Sequence, residues 1–148
     1  MDSNDQGKLN ILVVDDDSAS RELMGALLSD YGQCSNATNG ADAVKAVTKS
    51  LDDKTPFDLI CLDIMMPEMD GLEALKLIRE LEQEAGIAEP DRAKVLMTTT
   101  ASQVSKTMKA FHHGCSGYLV KPISKDAIAK EISKLPLARS FNTRWRGR

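Results

Sequence analysis

The feature that most constrains this chain is a strict alternation of two kinds of segment. Residues 9–14, 58–62, 94–98 and 117–120 are β-branched or apolar runs, too short for helices and apolar enough for strands covered on both faces. Between them lie helical patterns. Leu23, Met24, Leu27 and Leu28 recur at 3.6-residue spacing, as do Leu72, Leu75, Ile78 and Leu81, and later Ile128, Ile132 and Leu135. Weaker patterns at 41–51 and 102–112 complete the helices, and a polar strand is expected near 33–37, between Tyr31-Gly32 and Asn39-Gly40. Five strands alternating with five helices imply an α/β chain with parallel strands, right-handed crossovers and helices on both faces of one sheet. Such a doubly wound (βα)5 sheet places its functional crevice at the carboxyl ends of the strands.

Length and charge bound the rest. At 148 residues the chain fits one domain, and a formal net charge of −3 argues against polyanion binding as its main task. No apolar run approaches the roughly 18 to 20 residues that span a bilayer, so no membrane insertion is expected. The start, Met-Asp-Ser-Asn-Asp-Gln-Gly, is too acidic and polar for a signal peptide. Cys34, Cys61 and Cys115 are far apart and odd in number, which indicates neither a disulfide framework nor a zinc site and points to a reducing, cytoplasmic compartment. Residues 48–56 and 82–93 read as loops. The expected organisation is an N-terminal tail at 1–7, a folded domain at 8–136 and a basic tail at 137–148. That tail carries Arg139, Arg144, Arg146 and Arg148 with Phe141 and Trp145 and no acid, and it is too short for a DNA-binding domain.

The chemistry gathers at strand ends. The first strand runs into Asp15-Asp16-Asp17 and the third into Asp63, so two acidic clusters converge if those strands are neighbours. Converging carboxylates raise one another's pKa, and an oxygen-seeking divalent cation relieves the repulsion. Magnesium suits such a site because it accepts carboxylates and waters and bridges to phosphate. Each acid alone could equally cap a helix. The fourth strand ends at Thr98-Thr99-Thr100, which offers hydroxyls, and the fifth runs into Lys121-Pro122, which offers a cation. A carboxylate nucleophile, a metal, an ammonium and a hydroxyl form a coherent set for making an aspartyl phosphate.

With these residues in view, the sequence resembles the response-regulator receiver family of two-component signalling over about residues 8 to 136. The resemblance rests on Ile11-Leu12-Val13-Val14-Asp15-Asp16-Asp17, on the stretch from Asp58 through Asp63-Ile64-Met65-Met66-Pro67 to Asp70-Gly71, on Val95-Leu96-Met97-Thr98-Thr99, and on Gly117-Tyr118-Leu119-Val120-Lys121-Pro122. It implies a flavodoxin-like fold with strand order 2-1-3-4-5. Asp63 would be the phospho-acceptor, Asp16 a direct magnesium ligand with Asp15 assisting, and the main-chain carbonyl of Met65 a further ligand. Asp17 would belong to the following loop. Lys121 would pair with the phosphoryl group, across a cis Lys121-Pro122 peptide, and Thr99 and Tyr118 would be the switch residues. Thr100 stands where the family usually has alanine or glycine, so Thr100, with the Met65 side chain lining the site, would tune the lifetime of the phosphate. The implied partners are a sensor histidine kinase or phosphotransfer protein and a downstream protein target engaged by the fourth helix, fifth strand and fifth helix. The receiver would act as a monomer or a phosphorylation-linked dimer, and it would catalyse only its own phosphorylation and dephosphorylation.

Two rival readings are weaker. A magnesium-dependent aspartate-nucleophile phosphatase carries an acid/base aspartate two residues after its nucleophile, where this chain has Met65. A phosphorylation-independent interaction module gains no support, because every acidic, hydroxyl and lysine group of the expected site is present. A P-loop is excluded by the absence of G-x-x-x-x-G-K-[ST]. Met65, Met66 and Met69 read as turn and core packing, His112-His113 as surface residues, and Cys61 as a buried small hydrophobe.

Overall fold

The structure is a computed structural model, and it describes residues 8–137; the N-terminal tail and nearly all of the basic tail lie outside the described residues. Five strands, β1 (Leu9–Val14), β2 (Gly32–Ala37), β3 (Leu59–Asp63), β4 (Lys94–Thr99) and β5 (Gly117–Val120), form one parallel sheet in the order β2-β1-β3-β4-β5. Helices α1 (Ser18–Leu28), α2 (Gly40–Asp52), α3 (Gly71–Glu84), α4 (Val104–His112) and α5 (Lys125–Ser133) alternate with them. The expected doubly wound architecture and strand order are those observed.

Alternation along the strands divides the core into two layers. Leu12, Val14, Ile60, Leu62, Val95 and Met97 pack with residues of α2, α3 and α4, whereas Ile11, Val13, Leu59, Cys61, Leu96 and Leu119 pack with residues of α1 and α5. All five residues of β3 are buried, because both of its edges are paired and both of its faces covered. By contrast β2 is an edge strand and keeps Gln33, Ser35 and Asn36 exposed, which explains its polar composition. Leu137 is buried in the layer that holds Ile128.

Capping fixes where the helices start. The side chains of Asp17, Asn39, Asp70 and Ser124 accept the backbone N–H groups of Ser20, Asp42, Glu73 and Ala127, which begins α1, α2, α3 and α5. Asp17 is therefore a helix cap, where a loop position was expected.

Several boundaries differ from the sequence expectation. The segment 48–52 is the last part of α2, since the buried Ser50 hydroxyl donates to Val47 O at 2.8 Å and removes a reason to leave the helix. Likewise Glu82 belongs to α3: its buried carboxylate accepts the Ala93 N–H at 2.8 Å and pairs with Arg79 at 2.6 Å, so an apparently polar loop residue ties α3 to the start of β4. The rest of 82–93 holds a 3-10 turn at Glu89–Asp91. Asp58 precedes β3, where its carboxylate accepts the Asn10 N–H at 2.7 Å. Leu23 is 49% exposed, because Met24 and Leu28 already fill the narrow stripe of α1 that faces the sheet.

Gly71 sets how closely α3 approaches the end of β3. A Cβ there would overlap the carbonyl oxygen of Asp63 and lie 2.8 Å from Ile64 Cα. Because backbone blocks the space on that side, Gly71→Ala should destabilise the fold by about 1–3 kcal/mol, read as a lower urea midpoint with an unchanged slope.

Candidate functional site

Strand register assembles the site. Val14 pairs with Leu62, so Asp15 and Asp63 emerge side by side at the carboxyl ends of adjacent strands. Asp63 itself lies opposite Thr98, and Thr99 lies opposite Val120, which puts Lys121 one step past the end of β5. The Lys121 N–H donates to Thr99 O at 2.6 Å, and the Lys121-Pro122 peptide is cis.

One carboxylate oxygen each of Asp15, Asp16 and Asp63 lies within 4.8 Å of the others. Asp15 and Asp63 are buried, and Asp16 is exposed at the rim. Lys121 Nζ spans the buried pair, donating to Asp15 Oδ2 at 2.9 Å and Asp63 Oδ2 at 3.3 Å. The other Asp63 oxygen, Oδ1, accepts the Met65 N–H at 3.2 Å. The set is all hard oxygen, three-sided and open on the Asp16 side, and it fits a divalent cation of the magnesium type.

The remaining residues take different positions. Thr99 is 1% exposed, and its hydroxyl donates to Thr100 O at 3.2 Å instead of reaching Asp63. Thr100 is exposed, with its hydroxyl 3.1 Å from that of Ser102. Tyr118 is half-buried and packs against the α2–α3–α4 layer. Met66 is buried and Met69 packs against the core, as expected, but the Met65 side chain is 46% exposed. The chain leaves β3 at Asp63, two residues earlier, and the Met65 side chain is turned to solvent and not into the core. The Cys61 thiol is pushed up to about 12 by burial, which leaves it un-ionised and unreactive.

Two contributors escaped the sequence reading. Arg21 Nη1 donates to Asp15 O at 2.8 Å and holds the end of β1 from the first helix. The signal was available, because helix α1 begins at Ser18 and its first turn overhangs the strand end that precedes it. Asp15 Oδ1 also accepts the Asp17 N–H at 2.9 Å, so the acidic run partly supports itself.

The electrostatics are opposed. Burial raises the Asp63 carboxyl above its ordinary range, and Asp15 adds to this, while the Lys121 charge and the Met65 N–H pull it down without prevailing. For Lys121, burial favours the neutral amine but is outweighed by the hydrogen bond its ammonium donates to Asp15 and by the charges of both aspartates, which hold the ammonium above its usual range. An acid with a raised folded-state pKa binds its proton more tightly in the folded protein than in the unfolded one. Its cost to stability is thus present above the folded pKa and relieved as pH falls through it. Asp63→Asn should therefore raise the thermal midpoint near neutral pH by about 2–4 °C, equivalent to about 1 kcal/mol in a domain of this size. The gain should shrink as pH falls through the carboxylate range in thermal unfolding followed by circular dichroism.

Comparison with known proteins gives the same picture. The family model described as the response regulator receiver domain matches residues 11–133. The chain is 34% identical over 128 residues to the chemotaxis protein CheY of Listeria monocytogenes, covering 85% of this chain and 97% of that protein. It is also 34% identical over 130 residues to the transcriptional regulatory protein ZraR of Salmonella typhimurium, covering 87% of this chain but only 26% of that longer protein. Among solved structures, the complex of the Saccharomyces cerevisiae histidine phosphotransfer signalling protein Ypd1 with the receiver domain of the response regulator Ssk1 matches with a TM-score of 0.74 at 27% identity, over 90% of this chain and 92% of that one. No described helix is long and apolar enough to cross a membrane. The family model spans nearly the whole described sheet and its acidic crevice, and the chain belongs to the response-regulator receiver family of two-component signalling proteins.

Proposed function

We propose that this receiver accepts a phosphoryl group on Asp63 from a histidine kinase or phosphotransfer protein, in the presence of magnesium, and transmits the change through α4, β5 and α5 to a protein target. The observation that carries this reading is the convergence of Asp15, Asp16, Asp63 and Lys121 from the ends of three strands onto one crevice. An oxygen of Asp63 forms the new P–O bond as the P–N bond of a donor phosphohistidine breaks, and the electron pair leaves on the imidazole nitrogen. Asp15, Asp16 and Asp63 would hold the metal with the Met65 carbonyl, and magnesium bound there would supply positive charge that offsets the negative charge of the phosphoryl group. Lys121, already within 3.3 Å of Asp63, moves its hydrogen bond to a phosphoryl oxygen.

The Thr99 hydroxyl leaves the Thr100 carbonyl for another phosphoryl oxygen, and Tyr118 follows into the space behind it. Phosphorylation thereby favours one arrangement of the α4–β5–α5 face over another, and partner binding reads the shift in population. The receiver in complex with a histidine phosphotransfer protein, to which this fold is similar, supports that class of donor.

Incubation with acetyl phosphate and magnesium should add one phosphoryl mass to the wild type and none to Asp63→Ala in intact mass spectra. A wild type that gains nothing, or a mutant that gains the same mass, would overturn the reading. Thr100 is exposed and follows Thr99, and a side chain larger than alanine or glycine there would narrow the approach to Asp63. Thr100→Ala should accordingly shorten the lifetime of the acyl phosphate severalfold, measured as loss of the phosphorylated mass after donor removal; equal decay of the two proteins would exclude a role for Thr100.

A further inference from the structure

At the opposite pole from Asp63, the amino ends of β4 and β5 border a second cavity, of about 880 Å³. It lies between the 3-10 turn at Glu89–Asp91, the end of α3 and the loop joining α4 to β5. Its walls carry Arg79, Arg92, Lys94, His112, His113 and Ser116, with Glu89 as the one acidic residue of the lining. A cavity of this size suits a small organic ligand.

The donors at this site are incompletely matched by the protein. Lys94 is partly buried, and its ammonium donates only to Pro90 O at 3.2 Å, without an ion pair among the described residues. Arg92 uses Nε on Ile87 O at 3.0 Å and makes no ion pair there either. Arg79 does pair with Glu82, whose second oxygen is taken by the Ala93 N–H, so that acid is already engaged on both sides. The Ser116 oxygen accepts the Val95 N–H at 3.1 Å, which leaves its O–H to donate. Burial, followed by the Arg79 charge, lowers the Lys94 pKa; Glu82, Asp91 and Glu89 act in the other direction without compensating. A partly desolvated ammonium that lies near Arg79 and shares its cavity with Arg92 and the Ser116 hydroxyl gains most from an anion that offers several oxygens.

We propose that this cavity binds a small polyphosphate anion, either free or as the diphosphate of a nucleotide, through Lys94, Arg92 and Ser116. The adjoining α4–β5 loop makes the site more than a passive one. Arg79 donates through Nε and Nη2 to the Gly114 carbonyl at 3.0 and 2.7 Å, so an anion in the cavity competes for a guanidinium that holds the loop between α4 and β5. Occupancy at this pole and the state of the α4–β5–α5 face are then linked reciprocally.

The test is a titration of the full chain carrying Asp63→Asn, in EDTA, so that the acidic crevice holds neither metal nor phosphoryl group. Sodium pyrophosphate and ADP serve as separate probes, followed by amide proton–nitrogen correlation spectra. Saturable shifts are expected at residues 89–94 and 112–116, with smaller ones spreading from Arg79 and Gly114 into α4 and β5; Lys94→Met should weaken binding by about tenfold or more and Lys94→Arg retain it. Tighter binding of ADP identifies a nucleotide, and equal binding identifies the free polyphosphate; either supports the site. Thermal unfolding checks each variant, and Arg92→Met replaces Lys94→Met if the latter does not fold. Failure of both probes to saturate, or unchanged affinity in the folded lysine or arginine variant, overturns the proposal. Because the acceptor is disabled throughout, this outcome is independent of phosphorylation at Asp63.

Discussion

The structure is organised around β3, a strand with no face or edge left to water. Its five buried residues are paired with β1 on one edge and β4 on the other, and the strand ends on a carboxylate that the same packing holds out of solvent. Burying a carboxylate this way is costly unless charge is supplied nearby. The fold supplies it by bringing Lys121 from β5 across β4, over a sequence distance of 58 residues, to bridge Asp63 and Asp15. The central strand gathers the acids, and the edge strand brings the cation that makes their proximity tolerable.

This arrangement also gives a physical reason for a two-state response. One ammonium serves two carboxylates, and the Thr99 hydroxyl is engaged by its own chain. A phosphoryl group on Asp63, as proposed above, would offer new oxygen partners to both groups at once. The groups that would respond lie on β4 and β5, next to α4 and α5, so the chemistry and the face that would report it are joined by strand continuity.

Most of this was legible in the sequence because it depends on order and period. Short apolar runs between 3.6-residue patterns specify the parallel sheet, and acids placed just after the first and third strands specify the crevice. What escaped depends on contacts between segments distant in sequence or turned by a helix. Glu82 reads as a polar loop residue until the Ala93 N–H and Arg79 are seen around it. Arg21 reads as a surface cation until the turn of α1 brings it over the Asp15 carbonyl. The Met65 side chain looks like packing in a methionine-rich stretch, yet the chain turns at that residue and exposes it. Periodicity carries no information about such turns, which are set by capping and by the space left between elements.

The absence of a side chain at Gly71 has a mechanical consequence. With the backbone of α3 seated directly on the Asp63 carbonyl, that wall of the crevice is stiff, since no intervening side chain can repack to absorb a displacement. Across the crevice, β4 gives way to a 3-10 turn at Ala101–Gln103 whose side chains are partly or fully exposed. A displacement at Asp63 would therefore meet unequal compliance, resisted on the α3 side and accommodated on the β4–α4 side, so that a single missing methyl group would direct where force leaves the site.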